Sequence, residues 1–390
     1  MNIPLQAPET PVTSPADFMG KKNDVLLSQR LYSLDALRGF DMFWIIGAEE
    51  IFHVLFNVTG SSFFGKIATE LTHPTWNGFH FYDLIFPLFL FIAGVATPYS
   101  VGRELKKGKT KQQMLWRVIK RALILVLLGI IYNNGLQLRP FSEIRFGSVL
   151  GRIGLAYMFA NIIYLYSKQR MQIVWLCSLL VGYWLLLKFN SAPGFPAGDL
   201  TMEGNFASYI DRSIMPGKLY LGIHDPEGLM STIPAIATGL LGILTGSFLK
   251  ISLLPPSRKA MWMAVTGIVL IAFAQLWNLT FPINKNLWSS SFVLNVGGYS
   301  LILLSIFYYL IDVLEYKKWV FFFKVIGMNS ILIYMSDRFI DWEYTTNGFF
   351  KWLAQLAGNG WDIVVLAICY VIIKWLFLYL MYLKNVFLRV

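Results

Sequence analysis

Four histidines occur among the 390 residues, and one of them lies in Thr72-His73-Pro74-Thr75-Trp76-Asn77-Gly78, shortly before His80 and Asp83. An imidazole exchanges protons near neutral pH, so it suits the removal of a proton from an amine or hydroxyl during attack on an electrophile. A carboxylate at Asp83 would orient such a ring. The plainer role for His73 is a solvated loop histidine. A metal site built on His73, His80 and Asp83 is not supported, because neither the number nor the spacing of ligands matches a zinc motif.

A second group lies in the apolar run Ser33 to His53, which carries Asp35, Arg38, Asp41, Glu49, Glu50 and His53. Ionisable groups in a bilayer-spanning helix cost several kcal/mol unless they face protein, water or ligand. Arg38 and Glu49 are eleven residues apart, which a regular helix places on nearly the same face and roughly 16 Å apart along the axis. One reading is an interhelical ion-pair network of Asp35, Arg38 and Asp41. The other is a polar track with Arg38 open to an anionic group and Glu49 at the far end.

Three further clusters bring polar groups to helix ends or into apolar surroundings: His224-Asp225-Pro226-Glu227-Gly228, Asn284-Lys285-Asn286 before Trp288, and Gly327-Met328-Asn329-Ser330. Such groups need partners. Each alone reads as a cap; together they suggest a polar cavity opening outward. There is no GxxxxGK[ST] loop, GxGxxG turn or GxSxG elbow, so nucleotide hydrolysis, a dinucleotide fold and serine-hydrolase chemistry are unsupported.

The elements that must position these residues are membrane helices. The chain is 56% apolar and 14% charged, with a mean hydropathy of +0.55, against about 25% charged for soluble domains. Apolar runs of bilayer length predict ten spans, near 34–56, 82–101, 117–136, 147–166, 171–189, 229–249, 260–279, 288–311, 319–338 and 361–383. With the N-terminus inside, the inner segments hold 21 Lys and Arg against 9 in the outer ones. That asymmetry predicts both termini cytoplasmic. It also accounts for the net charge of +11 without nucleic acid. The basic run Arg103 to Arg121 reads as a topology signal in contact with anionic lipid, or as a landing surface for a phosphorylated cosubstrate.

Residues 1–30 read as a flexible cytoplasmic tail, without the apolar core of a signal peptide, and 31–390 as one transmembrane domain. The long outer segment 190–228 suits a substrate platform. Gly239, Gly242 and Gly246 predict close helix packing. Cys177 and Cys369 fall in apolar runs and indicate neither disulfide nor metal.

The blocks SLDALRGFDMF, HPTWNGFHFYDLIFPLFLFIAG, GSVLGRIGLAY, YIDRSIMPGKLY, DPEGLMSTIPAIATGLLG, PINKNLWSSSFVL and GMNSILIY, in this order from about Leu31 to about Tyr334, resemble the heparan-alpha-glucosaminide N-acetyltransferase family, its bacterial branch in particular. The resemblance implies acetyl transfer from cytoplasmic acetyl-CoA to a glucosamine amine across the membrane, by direct attack or through an acetyl-imidazole. It places the active-site histidine on His73. It also places Glu49 where lysosomal members carry an asparagine, so a charged group stands in for a neutral donor, and it makes a homodimer plausible.

The resulting expectation is an all-α, polytopic integral membrane helical bundle of about ten transmembrane helices in a bacterial inner membrane. His73, Asp83 and Glu49 would be catalytic, and Arg38 and Arg152 would meet acetyl-CoA. Trp76, Asn77, Asp225, Glu227, Asn284, Lys285 and Asn286 would line the pocket for an amino sugar or glycan, with membrane lipids around the bundle and no metal. An amino-sugar permease relaying protons through Glu49, His53 and Asp83, or an envelope-assembly scaffold, are the alternatives.

Overall fold

In the computed structural model, which describes residues 31–137, 139–358 and 360–388, the architecture is all-helical and the only β pairing among these residues is two isolated bridges. The expected tail at 1–30 lies outside the described residues. The helices are α1 (Tyr32–Thr59), α2 (Ser62–Glu70), α3 (Phe81–Lys106), α4 (Lys111–Asn134), α5 (Val149–Tyr166), α6 (Gln169–Phe189), α7 (Phe206–Ile214), α8 (Leu229–Leu249), α9 (Pro256–Asn278), α10 (Ser290–Val313), α11 (Val320–Met328), α12 (Ser330–Ser336), α13 (Trp342–Ala357) and α14 (Trp361–Leu383).

Eight of them, α1, α3, α5, α6, α8, α9, α10 and α14, are long and apolar enough to cross a membrane. Two of the ten predicted spans differ. Helix α4 is continuous over 24 residues and is started by a capping box of Thr110 and Gln113, but Arg117, Lys120 and Arg121 leave only its second half free of charge. The stretch 319–338 is not one helix. It breaks at Asn329, whose side chain donates to Val386 O at 2.9 Å and accepts from Leu388 N at 3.1 Å. Those bonds tie the break to the C-terminal segment and leave two short helices, an interruption membrane proteins tolerate only inside protein.

Helix α1 changes course at a wide turn, Trp44–Ala48, where Gly47 adopts φ 114°. Only glycine takes this conformation cheaply, and a Cβ here would also meet the Tyr370 ring at 2.7 Å. The turn corrects the sequence reading of α1: the regular periodicity that would align Arg38 with Glu49 is interrupted between them.

The core lies where α1, α3, α5, α8 and α10 meet, around the fully buried Leu88, Phe91, Val296 and Trp288. The glycine ladder of α8 does what its spacing suggested. A Cβ on Gly242 would come within 2.1 Å of Phe91 O, and one on Gly246 within 2.3 Å of Val95 O, so α3 and α8 pack backbone against backbone.

Candidate active site

The loop between α2 and α3 carries His73, and the first turn of α3 carries Asp83. Asp83 is fully buried and accepts the His80 backbone N–H at 3.0 Å. Its other oxygen lies 2.7 Å from His73 Nδ1. A carboxylate can only accept, so with its proton on Nδ1, facing Asp83, the ring keeps its lone pair on Nε2. The His73 side chain remains about half exposed, at 47%. Lys285 arrives from the loop between α9 and α10, its Nζ 2.9 Å from His73 Nε2 and 3.5 Å from Asp83. Burial holds the Lys285 ammonium below the usual lysine range, against the pull of Asp83. The three residues bring together an imidazole, a buried carboxylate and a half-buried amine.

Two segments over 200 residues apart in sequence are joined to build this group. Gly78 N–H donates to Ile283 O at 2.9 Å, and Asn284 Nδ2 donates to Asn77 Oδ1 at 3.0 Å. Asn284 also accepts from Leu287 N at 2.8 Å. Asn77 and Asn284 are thereby committed to holding the loops together. Trp76 is committed likewise: its Nε1 donates to Leu200 O at 2.9 Å, and its ring meets His224 edge-on at 5.2 Å. Asn286 is half-buried in the same turn as Lys285.

Glu49 reaches the group through Tyr82. The two side chains are neighbours, and the Tyr82 ring lies against the His73 imidazole with centroids 5.1 Å apart. Nothing in the sequence singled out Tyr82.

Asp225 and Glu227 are salt-bridged. Arg145 donates from Nε and Nη2 to the two oxygens of Asp225, at 2.9 and 2.8 Å, and from Nη2 to Glu227 at 2.5 Å. Burial alone would raise the Asp225 carboxyl; the hydrogen bonds and charge of Arg145 outweigh it and hold the group below the carboxylate range. Arg145 escaped the sequence reading. The signal that would have found it is the need of two neighbouring buried carboxylates for a cation, with few Lys or Arg available on that side of the bundle.

Arg152 is not beside Arg38. It is buried in the first turn of α5, donating to Pro226 O and Ser231 Oγ, with its guanidinium 4.8 Å from the Trp288 ring centre. Its expected place next to the donor is corrected by this packing, in which its hydrogen bonds go to the Asp225–Gly228 turn. Arg38 instead shares a cavity of about 410 Å³ with Arg121, whose guanidinium covers Tyr157 at 4.6 Å. The broken helix forms one wall of that cavity through Gly327, Met328, Ser330 and Ile331. A second, smaller cavity shares Phe89, Ser330 and Ile331 with it and extends to Phe86 and Tyr334.

Residues 30–208 match the family model described as "Heparan-alpha-glucosaminide N-acetyltransferase, catalytic". Among curated proteins, the chain is 28% identical over 428 residues to the human heparan-alpha-glucosaminide N-acetyltransferase, covering 93% of this chain and 60% of that protein. It is 29% identical over 372 residues to the mouse protein of the same name, covering 80% and 54%. The chain thus spans less than two thirds of the length of these relatives, and it resembles their family through the segment that holds His73, Asp83, Glu49 and Arg38.

Proposed function

We propose that this integral membrane protein, similar over residues 30–208 to the catalytic region of heparan-alpha-glucosaminide N-acetyltransferases, is itself an N-acetyltransferase that moves acetyl from acetyl-CoA to the free amine of an amino sugar or glycan. The observation that carries the reading is the imidazole of His73, fixed by Asp83 at 2.7 Å with Lys285 Nζ at 2.9 Å. An amine acceptor arrives as an ammonium and must lose a proton before its nitrogen can attack. Nε2 of His73 takes that proton, with Asp83 stabilising the imidazolium. The nitrogen then bonds to the thioester carbon, the C–S bond breaks, and the thiolate leaves and takes up a proton. Lys285 is placed to favour the negative charge that develops on the carbonyl oxygen. Glu49, a neighbour of Tyr82, attracts the acceptor ammonium.

Arg38 and Arg121 supply the positive charge that phosphate groups require, and the cavity they share fits the polar end of acetyl-CoA. The smaller cavity shares Phe89, Ser330 and Ile331 with it and reaches Phe86 of α3. In this reading the arginine end faces the cytoplasm, as the excess of Lys and Arg in the inner segments favours. His73 then faces the far side of a bacterial inner membrane, with residues 190–228 as a platform for the acceptor. Arg145, Arg152, Trp76, Asn77 and Asn284 position the loops, and Asp225 and Glu227 act with them; Asn286, next to Lys285, faces the acceptor.

The test uses the purified full chain in detergent, labelled acetyl-CoA and a panel of glucosaminides. Acetylated product from wild type and its loss in His73→Ala is the expected result. Acetylation undiminished in His73→Ala removes the site assignment, and no transfer to any amine, with proton-coupled uptake in liposomes, replaces the reading with the permease.

A further inference from the structure

Helix α14 carries a single cation within its apolar run, Lys374, and the side chain is buried to 1% exposure. An ammonium in a bilayer-spanning segment is costly, and where one occurs it faces partners inside the bundle and marks a functional place. The direct partner is Asp337, immediately after α12, whose Oδ1 accepts from Lys374 Nζ at 2.8 Å. The Tyr370 ring, one turn earlier on α14, covers the ammonium at 4.2 Å from the ring centre.

The same ammonium acts on α1. Tyr370 lies against Gly47 in the wide turn, where a Cβ would come within 2.7 Å of its ring, and Glu49 follows Gly47 by two residues. The charge of Lys374 is felt at Glu49, together with Tyr82 from α3 and the neighbouring Glu50, and Lys374 is the cation of the three. Glu49 Oε2 is buried and meets no hydrogen-bond donor among the described residues. Asp337 therefore holds Lys374 in direct contact, and the ammonium lends Glu49 a countercharge without taking up that oxygen.

We propose that Lys374 is a positioning residue for the acceptor: it supplies the countercharge that lets Glu49 receive the ammonium of an amino sugar, while Asp337 keeps it from occupying Glu49 itself. The inference rests on the acetyltransferase reading above and deepens its account of how the acceptor binds. A buried carboxylate with no cation nearby is costly and takes up a proton instead, and a neutral carboxyl does not attract an ammonium. Removing Lys374 therefore acts on the acceptor through Glu49, and an uncharged sugar does not feel the loss.

The experiment measures acetyl transfer to methyl glucosaminide by the purified full chain in detergent, with methyl glucoside, which has a hydroxyl in place of the amine, as a competing ligand. Lys374→Met is expected to raise the acceptor KM about tenfold, the worth of one charge-assisted contact, with kcat within about threefold of wild type. Inhibition by methyl glucoside, and binding of free CoA by calorimetry, are expected to stay as in wild type. Glu49→Gln is expected to raise KM similarly, and the two substitutions together little more than either alone. Asp337→Asn, which leaves the ammonium in place, is expected to keep KM within about threefold of wild type. If Lys374→Met does not yield folded protein, Lys374→Met combined with Asp337→Asn, which removes both charges of the buried pair, is read in its place with the same rise in KM. Folded variants with an unaltered KM overturn the inference while leaving the acetyltransferase reading intact. So do rises that multiply when Glu49→Gln and Lys374→Met are combined, and a rise in Asp337→Asn equal to that in Lys374→Met. A wild type that transfers no acetyl to any amine overturns both.

Discussion

Replacing Asp83 by asparagine removes one charge and almost no volume at the centre of the candidate site. The carboxylate is fully buried and receives the His73 ring at 2.7 Å and the His80 N–H at 3.0 Å, with Lys285 Nζ at 3.5 Å. Asparagine keeps one acceptor but presents an NH₂ on its other arm. If the NH₂ faces the ring, Nδ1 must accept, the proton moves to Nε2, and the lone pair needed to take the acceptor's proton is lost. A carboxylate-to-amide change at the orienting position of a catalytic imidazole costs on the order of 10⁴ in turnover in the serine proteases. Here, with Lys285 already near Nε2, a fall of about 10³, roughly 4 kcal/mol, is expected. Loss of the negative charge should also lower the Lys285 ammonium further, since Asp83 is the attraction that opposes its burial. The assay is steady-state acetyl transfer over a range of pH, for Asp83→Asn, His73→Ala and the double variant. Acting as a unit, the two should cost together little more than the greater single loss. Turnover of Asp83→Asn within about threefold of wild type, or losses that multiply in the double variant, would refute the orienting role.

Three further outcomes follow from the packing. His224 is buried with its Nδ1 2.7 Å from Ser208 Oγ, and burial pushes its pKa down to about 4 from 6.5. The unfolded chain then binds more protons between these values, so stability falls as pH drops from 6.5 to about 4, by roughly 3 kcal/mol. Asp211, raised by burial to about 6, works the opposite way between about 4 and 6; thermal melts in detergent should therefore show wild type losing stability relative to His224→Gln across that window, and parallel curves would exclude the effect. Arg145→Met leaves Asp225 buried without its main cation and should destabilise by about 3–5 kcal/mol, measured by denaturant or thermal unfolding, with Asp225→Asn in the same chain recovering most of it. Gly47→Ala should lower thermal stability through both the positive φ and the 2.7 Å approach to Tyr370, and Tyr370→Ala added to it should relieve only the steric part.

Much of the candidate site was legible before any fold was known, because the proposed chemistry needs rare residues in rare places. Four histidines in the whole chain, one of them a few residues before a carboxylate at the head of an apolar run, narrow the candidates for a base sharply. The close packing of α8 on α3 was legible too, since three glycines at helical spacing in an apolar segment have few other uses. Partners from distant elements were hidden. Arg145 stands in unremarkable local sequence, and what gives it a role is the pair of carboxylates it meets across the bundle.

The sequence by itself determined the all-helical membrane character, through apolar runs of bilayer length, and the pairing of His73 with a nearby carboxylate, through short-range spacing. Tertiary structure decided what spacing cannot carry. It brought Lys285 to the imidazole through the Asn77–Asn284 and Gly78–Ile283 bonds, and it turned Arg152 towards the Asp225–Gly228 turn instead of the two-arginine cavity. It interrupted α1 at Gly47 and broke the helix at Asn329, so that neither segment follows one regular period. Local sequence sets which backbone conformations are cheap and which faces are apolar; the direction in which a long polar side chain finds its partner depends on helices that meet only when the bundle closes.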